Sequence, residues 1–232
     1  MSTIATDSGK SLVAKAMESV KTHIRESALR VGDTLPGESY FAERLGVSRA
    51  VMREAFGALA ALRLIDVANG RRAKVGALDG SVIADSLEHA LSTSQIKVAD
   101  VWDVRRTIEM RTAALASHNA TPVQAARIVA LAEAMGQNDR PHDQTTDDDI
   151  EFHLAIAEAS GNALFSQIVA SFVPLMRVTV PKAWSTRRTE EEQRDILARH
   201  ERLAWAIANR DPIQAEEAMA AHFDEAIGVL LR

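Results

Sequence analysis

The sequence predicts a mainly α-helical chain in two parts. A small N-terminal unit of three helices closes with a short hairpin, and a larger bundle of helices alone follows. Three observations carry this reading. Apolar residues recur every three or four positions through most of the 232 residues, the spacing of one helix face. Strand-like alternation is confined to a short stretch around the Asn-Gly pair at 69–70, a hairpin signal because both residues tolerate positive φ. Charge then divides the chain: residues 1–77 hold 12 Lys and Arg against 8 Asp and Glu, and residues 78–232 hold 15 against 24. A basic front and an acidic back, hidden behind a net charge of −5, point to units with different partners, a polyanion for the front one.

Composition removes several classes. A 47% hydrophobic content excludes bulk disorder. No apolar run approaches the roughly 18 residues of a membrane span, and the start MSTIATDSGK shows no secretory leader. The chain has no cysteine. Disulfide frameworks, thiolate zinc sites and Cys nucleophiles are excluded, and a reducing compartment, the cytoplasm, is the expected location.

Residues 1–10 read as a flexible tail and 11–77 as the front domain. Leu12, Ala16, Val20 and Ile24 predict a helix over 11–28 with one buried stripe. Gly32 and Pro36 break it, and a short helix follows over 37–45 with Phe41 and Leu45 on one face. After the turn at Gly46-Val47-Ser48, Ser48 caps a third helix over 49–62, expected to bury Val51, Ala55, Leu59 and Leu62. Extended runs at Leu64–Ala68 and Ala73–Val75 flank a basic tip, Asn69-Gly70-Arg71-Arg72.

Helix, helix, turn, helix and basic hairpin make a winged helix-turn-helix pattern. Arg49 and Arg53, exposed near the start of the third helix, suit guanine O6 and N7 in the major groove. Ser48 and the free N–H groups at that helix start suit a phosphate. Arg71, Arg72 and Lys74 would reach the backbone or minor groove. The alternative is a merely solvated face, with Arg53 balanced by Glu54.

The segment LPGESYFAERLGVSRAVMREAFGALAALRLIDV closely resembles the DNA-binding domain of the GntR superfamily of bacterial transcription regulators. The resemblance implies that Ser48, Arg49, Ala50, Val51 and Arg53, with Asn69 and Gly70 at the wing tip, lie at the DNA. Two departures stand out. Ser39 replaces a DNA-contacting Arg, so one contact is expected to be lost or moved. Arg63 replaces a frequent Gly, so the helix is expected to end without the usual left-handed residue.

Residues 78–97 read as a linker with a helix over 81–94, and 98–232 as an all-α domain. Its helices are expected at 98–118, 122–137, 147–159, 162–178, 189–209 and 212–231, with Asn138–Thr146 as a polar connector. Thr121-Pro122 and Asp211-Pro212 are caps followed by Pro at the first helical position. Trp102, Trp184 and Trp205 suit core or interface positions.

Four side chains stand out in this bundle. Asp149 and His153 share a helix face. His200 and His222 flank the last turn, each roughly 13 to 15 Å from it at about 1.5 Å per residue, so an antiparallel pair sets them at similar depth. One carboxylate and three imidazoles suit zinc, nickel, iron or manganese. The alternatives are half-buried polar histidines and an ordinary i,i+4 acid–base pair.

DDDIEFHLAIAEASGNALF and RHERLAWAIANRDPIQAEEAMAAH are similar to the central and closing motifs of the FadR-like branch of GntR regulators, whose helical ligand-binding domain is called FCD. The resemblance implies that Asp149, His153, His200 and His222 hold a divalent ion, zinc first. An ion so held keeps a net charge of +1 and one or two open positions, which suits a small organic or sugar acid as effector. Arg105 matches an Arg that faces the pocket in such domains, with an Arg105–Glu109 helical ion pair as its alternative. Arg177 is a weaker candidate.

The expected protein is therefore a homodimeric regulator, a repressor first, reading a pseudo-palindromic double-stranded operator under control of a carboxylate effector. The alternatives are a metal-dependent hydrolase, for which no general base adjoins the ligands in sequence, and a regulator whose metal is purely structural.

Overall fold

The computed structural model describes residues 11–68, 70–136, 142–185 and 189–230. It divides into two compact units between Val82 and Ile83.

In the front unit, α1 (Leu12–Glu26) starts at Ser11, whose Oγ accepts from the Ala14 N–H at 3.1 Å. Helix α2 (Glu38–Leu45) ends at Gly46, which takes φ +64°. Helix α3 (Arg49–Ala61) starts at Ser48, whose Oγ accepts from the Val51 N–H at 3.3 Å. Strands β1 (Ile65–Asp66) and β2 (Lys74–Val75) then pair antiparallel, Ile65 opposite Val75 and Asp66 opposite Lys74. The far edge of β2 is bridged to Thr34. The core gathers Ala16, Val20, Leu35, Phe41, Met52, Phe56, Leu59, Ile65 and Val75.

The buried faces differ from the expected stripes. Leu12 and Leu62 are exposed, and so is Leu45 at the end of α2, whereas Met52 and Phe56 are buried. The helical period explains both ends. A strict i+4 row drifts by about 40° per step, so Leu12 leaves the stripe centred on Ala16 and Val20. In α3 the arc of about 100° through Met52, Ala55, Phe56 and Leu59 faces the core; Val51 and Leu62 lie at its rim. The strands are also shorter than expected, two residues each, since the pairing covers only Ile65 with Val75 and Asp66 with Lys74.

Arg63 corrects a second expectation. It adopts φ +56° itself, so the helix does end on a left-handed residue, and a side chain is strained there. Gly76 approaches this corner closely. Its N–H donates to the Leu64 carbonyl at 3.0 Å, and a methyl at its Cα would overlap the Arg63 carbonyl.

The division falls in the first turn of α4 (Ser81–Ser92), and the second unit continues with α5 (Val98–Asn119), α6 (Pro122–Met135), α7 (His142–Ala159), α8 (Ala163–Ser171), α9 (Val173–Ser185), α10 (Glu190–Ala208) and α11 (Pro212–Leu230). Both proline-led helices start as expected. Thr121 and Gln124 form a reciprocal cap, and Asp211 Oδ1 accepts from the Gln214 N–H at 3.0 Å. One core joins α5, α6, α7, α10 and α11 through Trp102, Ile128, Phe152, Ile156, Leu203, Met219 and Phe223. A smaller one holds Val101, Ile150, Phe172, Met176 and Val180, with Leu87 and Leu91 of α4 packed on it.

Two expectations change here. The single helix over 162–178 is two, α8 and α9, bent by 55° at Phe172. Pro174 lacks the N–H that would continue the α8 ladder, and it stands in the first turn of α9, where that N–H has no intrahelical partner to lose. The connector is shorter than expected, since α7 already begins at His142; residues 137–141 lie outside the described set. Trp102 is buried in the core, whereas Trp205 is half-exposed. No single helix among the described residues is long and apolar enough to cross a membrane.

Arg63→Gly should raise the stability of the front unit by roughly 1 kcal/mol, the left-handed penalty on a side chain. The exposed Arg63–Asp79 pair at 3.5 Å that it removes offsets little of this. Urea unfolding followed by circular dichroism measures the difference, which should appear as a higher midpoint at constant slope.

Candidate functional site

The front unit presents its basic groups on α3 and the wing. Ser48, Arg49, Ala50 and Arg53 are exposed, and Val51 is half-buried against the core. The Ser48 cap holds that helix start, leaving its first N–H groups outward as an anion site. Among the described residues neither Arg49 nor Arg53 has an ion-pair partner, so Glu54 does not neutralise Arg53. On the wing, Arg71, Arg72 and Lys74 are exposed and Gly70 takes φ +70°. Asn69 lies outside the described residues. Ser39 is exposed on α2.

In the second unit, Asp149, His153, His200 and His222 come together and are all buried. Asp149 and His153 share one face of α7, while α10 brings His200 and α11 brings His222. The depth matching expected from the last turn is realised: the rings of His200 and His222 stand 4.7 Å apart, and those of His153 and His222 5.0 Å. One nitrogen of each histidine lies within 4.8 Å of the other two. Asp149 closes the set from below, its Oδ1 at 3.0 Å from His200 Nε2 and its Oδ2 at 4.0 Å from His153 Nε2.

The hydrogen bonds orient these rings. His200 Nδ1 lies 2.9 Å from the Ile196 carbonyl. A carbonyl only accepts, so Nδ1 carries the proton and Nε2 is the atom aimed at Asp149. A lone pair and a carboxylate oxygen facing each other at 3.0 Å require a positive charge between them, a proton or a metal ion. His153 is arranged alike, with Nδ1 facing Glu109 Oε2 at 2.5 Å and Nε2 facing Asp149. The donor set therefore fits a divalent cation.

Burial opposes charge on the Asp149 carboxylate, but the hydrogen bond from His200 and the surrounding imidazoles outweigh it and hold Asp149 well below the usual range. Burial, reinforced by the positive fields of His200 and His153, pushes His222 well below an ordinary histidine, against the opposing pull of Asp149. His222 is thus kept neutral, the form a metal ligand needs.

Arg105 is 2% exposed, and its Nε donates to Glu109 Oε1 at 2.8 Å. Its guanidinium stands 5.2 Å from the ring centroids of both Trp102 and Phe223. The helical ion pair is formed, and it sits in the wall of the histidine cluster rather than in solvent. Arg177 pairs with Asp147 at 2.8 Å on the exposed surface, away from the cluster. An apolar cavity of about 370 Å³ lies apart, among Leu87, Leu91, Val101, Phe172, Leu175 and Val178. Among the described residues its lining is apolar apart from Glu88, Ser92 and Ser171. Glu109 was not singled out as a site residue from sequence; its i,i+4 spacing from Arg105 was the available signal.

A winged helix with exposed, unpaired arginines on its third helix, joined in one chain to a helical body with a buried polar cluster, is the arrangement of a DNA-binding regulator. The comparisons agree: residues 12–75 match the family described as bacterial regulatory proteins, gntR family, and residues 100–225 match the FCD domain. The chain belongs to the GntR family of transcription regulators, in its FCD-containing branch. It is 30% identical to the HTH-type transcriptional regulator LutR of Bacillus subtilis over 89% of this chain and 95% of that protein. It is 30% identical to the Glc operon transcriptional activator of Escherichia coli K12, over 88% and 83%. It is 26% identical to the HTH-type transcriptional repressor NanR of Klebsiella aerogenes, over 92% and 83%. These relatives are named as regulators, not enzymes. A solved structure of Streptococcus agalactiae GntR shares the fold, with a TM-score of 0.63 at 24% identity over 91% of this chain and 97% of that one.

Two outcomes are expected. Arg49→Ala and Arg53→Ala should each cost about 1–3 kcal/mol of affinity for the DNA upstream of the gene. Thermal unfolding should stay unchanged, since both side chains are exposed. Electrophoretic mobility shifts at fixed salt measure the first effect. Metal-free protein should lose stability on acidification below about pH 6.5, because the unfolded chain takes up a proton at His222 that the folded chain refuses. Stability therefore rises with pH through that window, by up to about 1.4 kcal/mol per unit for one proton. His222→Gln should remove this share of the slope in denaturant titrations at several pH values.

Proposed function

We propose that the chain is a repressor whose hold on a pseudo-palindromic operator is modulated by a small carboxylate metabolite at a divalent metal site in the helical body. The observation that carries this reading is the convergence of three buried imidazoles on Asp149, two of them with Nε2 turned inward. Asp149, His153, His200 and His222 would hold the ion, zinc first by donor type, with nickel, manganese or iron as alternatives. The ion supplies a Lewis-acidic charge for an anionic ligand. A divalent ion with one carboxylate and three neutral imidazoles carries +1, and the Arg105–Glu109 pair adds nothing to that sum. A carboxylate neutralises the site, whereas a neutral or cationic effector leaves it charged in a low-dielectric interior.

Arg105 is the proposed second anchor for the effector, since it reaches the ligand set through Glu109 and His153. Two heads on a homodimer suit a two-fold operator, because linking two half-site contacts multiplies affinity. Effector binding releases DNA if it favours the head arrangement that does not fit the operator. The names of the relatives include an activator and a repressor. We favour repression because a head that binds DNA unaided needs only to be displaced. The reading also places the protein in the cytoplasm, with the DNA it binds.

Purified protein reconstituted with zinc should hold one ion per chain by elemental analysis, and His200→Ala or His222→Ala should lose it. Calorimetry with a panel of small organic and sugar acids should give heat only with metal bound, and the same acid should weaken operator binding. Full metal retention in both variants would remove the site. Retained metal with no acid that alters DNA affinity would favour a structural ion.

A further inference from the structure

The four proposed ligands leave a second buried carboxylate without a role. Glu109 on α5 is 1% exposed. Its Oε1 accepts from Arg105 Nε, and its Oε2 lies 2.5 Å from His153 Nδ1. The two atoms of that second contact are close but imperfectly aligned as a hydrogen bond. Neither has another polar partner among the described residues, so each depends on the other.

His200 shows what this contact does. There a main-chain acceptor, the Ile196 carbonyl, takes the Nδ1 proton and leaves Nε2 to the centre. On the His153 ring the corresponding acceptor is a side chain from another helix. Two histidines on two helices thus obey one rule, an acceptor behind Nδ1 and Asp149 before Nε2. Buried carboxylates are rarely tolerated unpaired, and Arg105 supplies the counter-charge at 2.8 Å.

We infer that Glu109 is a positioning residue for the metal site: it holds His153 as the Nδ1–H tautomer, turns Nε2 to the ion, and is itself held by Arg105. The inference rests on the metal reading above and extends it to a residue on α5 outside the ligand set. A carboxylate behind a ligating imidazole fixes the ring and strengthens it as a donor. Arg105, Glu109 and His153 form a continuous path from the Trp102–Phe223 aromatic pair to the ion site. A purely structural Arg105–Glu109 pair would hold α5 in place without any effect on the His153 tautomer.

The test uses the full-length protein and Glu109→Gln. Long-range ¹H–¹⁵N correlation spectra of the metal-free wild type should show His153 as Nδ1–H. In Glu109→Gln that tautomer should be lost, because the amide N–H₂ can donate to Nδ1. Zinc affinity, read by competition with a chromophoric chelator, should fall about 10- to 100-fold. A Glu109→Gln protein that keeps Nδ1–H at His153, or that binds zinc within about threefold of the wild type, overturns the inference. If Arg105 left unpaired prevents folding, Arg105→Met with Glu109→Leu removes both charges and the acceptor behind Nδ1 together, and the same two measurements decide. A wild type that takes up no zinc defeats the metal reading instead, while the tautomer result still stands or falls on its own.

Discussion

Asp149 sits in the interior of the helical body, where an ionised carboxylate without compensation is costly enough to unfold a domain of this size. The body is arranged around its compensation. Helix α7 carries Asp149 and His153 on one face, α10 brings His200 to 3.0 Å, and α11 closes the cluster with His222. Each imidazole is oriented from behind where an acceptor is present, by the Ile196 carbonyl for His200 and by Glu109 for His153. The requirement then passes outward, since Glu109 is buried and needs Arg105, and Arg105 stacks between Trp102 and Phe223. Polar demand at one atom thus organises side chains on α5, α7, α10 and α11, the helices that also share the larger apolar core.

The front unit is built on a different balance. Its core is small, and its function needs charged groups on the outside rather than the inside. Local devices therefore carry much of the geometry: the Ser48 cap, the left-handed Gly46, and the corner where Gly76 meets the Arg63 carbonyl. Among the described residues the arginines of α3 have no ion-pair partners, which keeps their donors available for a phosphate or a base edge.

Much of this was legible because the signals are local. Ser48, Thr121-Pro122 and Asp211-Pro212 announce helix starts through the chemistry of their own backbone, and each start is where they place it. The meeting of His200 with His222 was legible for a related reason, since a tight turn and a constant rise per residue leave the pair little freedom. Signals that depend on which face wins were less reliable. Leu12 and Leu62 look like core residues and are exposed, because the helical period carries them off the buried arc. The break at Phe172 was missed: Pro174 permits it, but only packing decides whether a proline opens a new helix or bends an old one.

Sequence alone determined the two-unit division, the helical body, the basic wing and the residue types of the buried histidine cluster, since these follow from composition, period and caps acting over a few residues. Only the tertiary structure decided that Arg63 bears the left-handed corner, and that Arg105 and Glu109 face inward against His153. An i,i+4 ion pair reads the same on a solvated face as in a core. Its surroundings come from helices distant in the chain, and those surroundings determine whether the pair is decoration or part of a site.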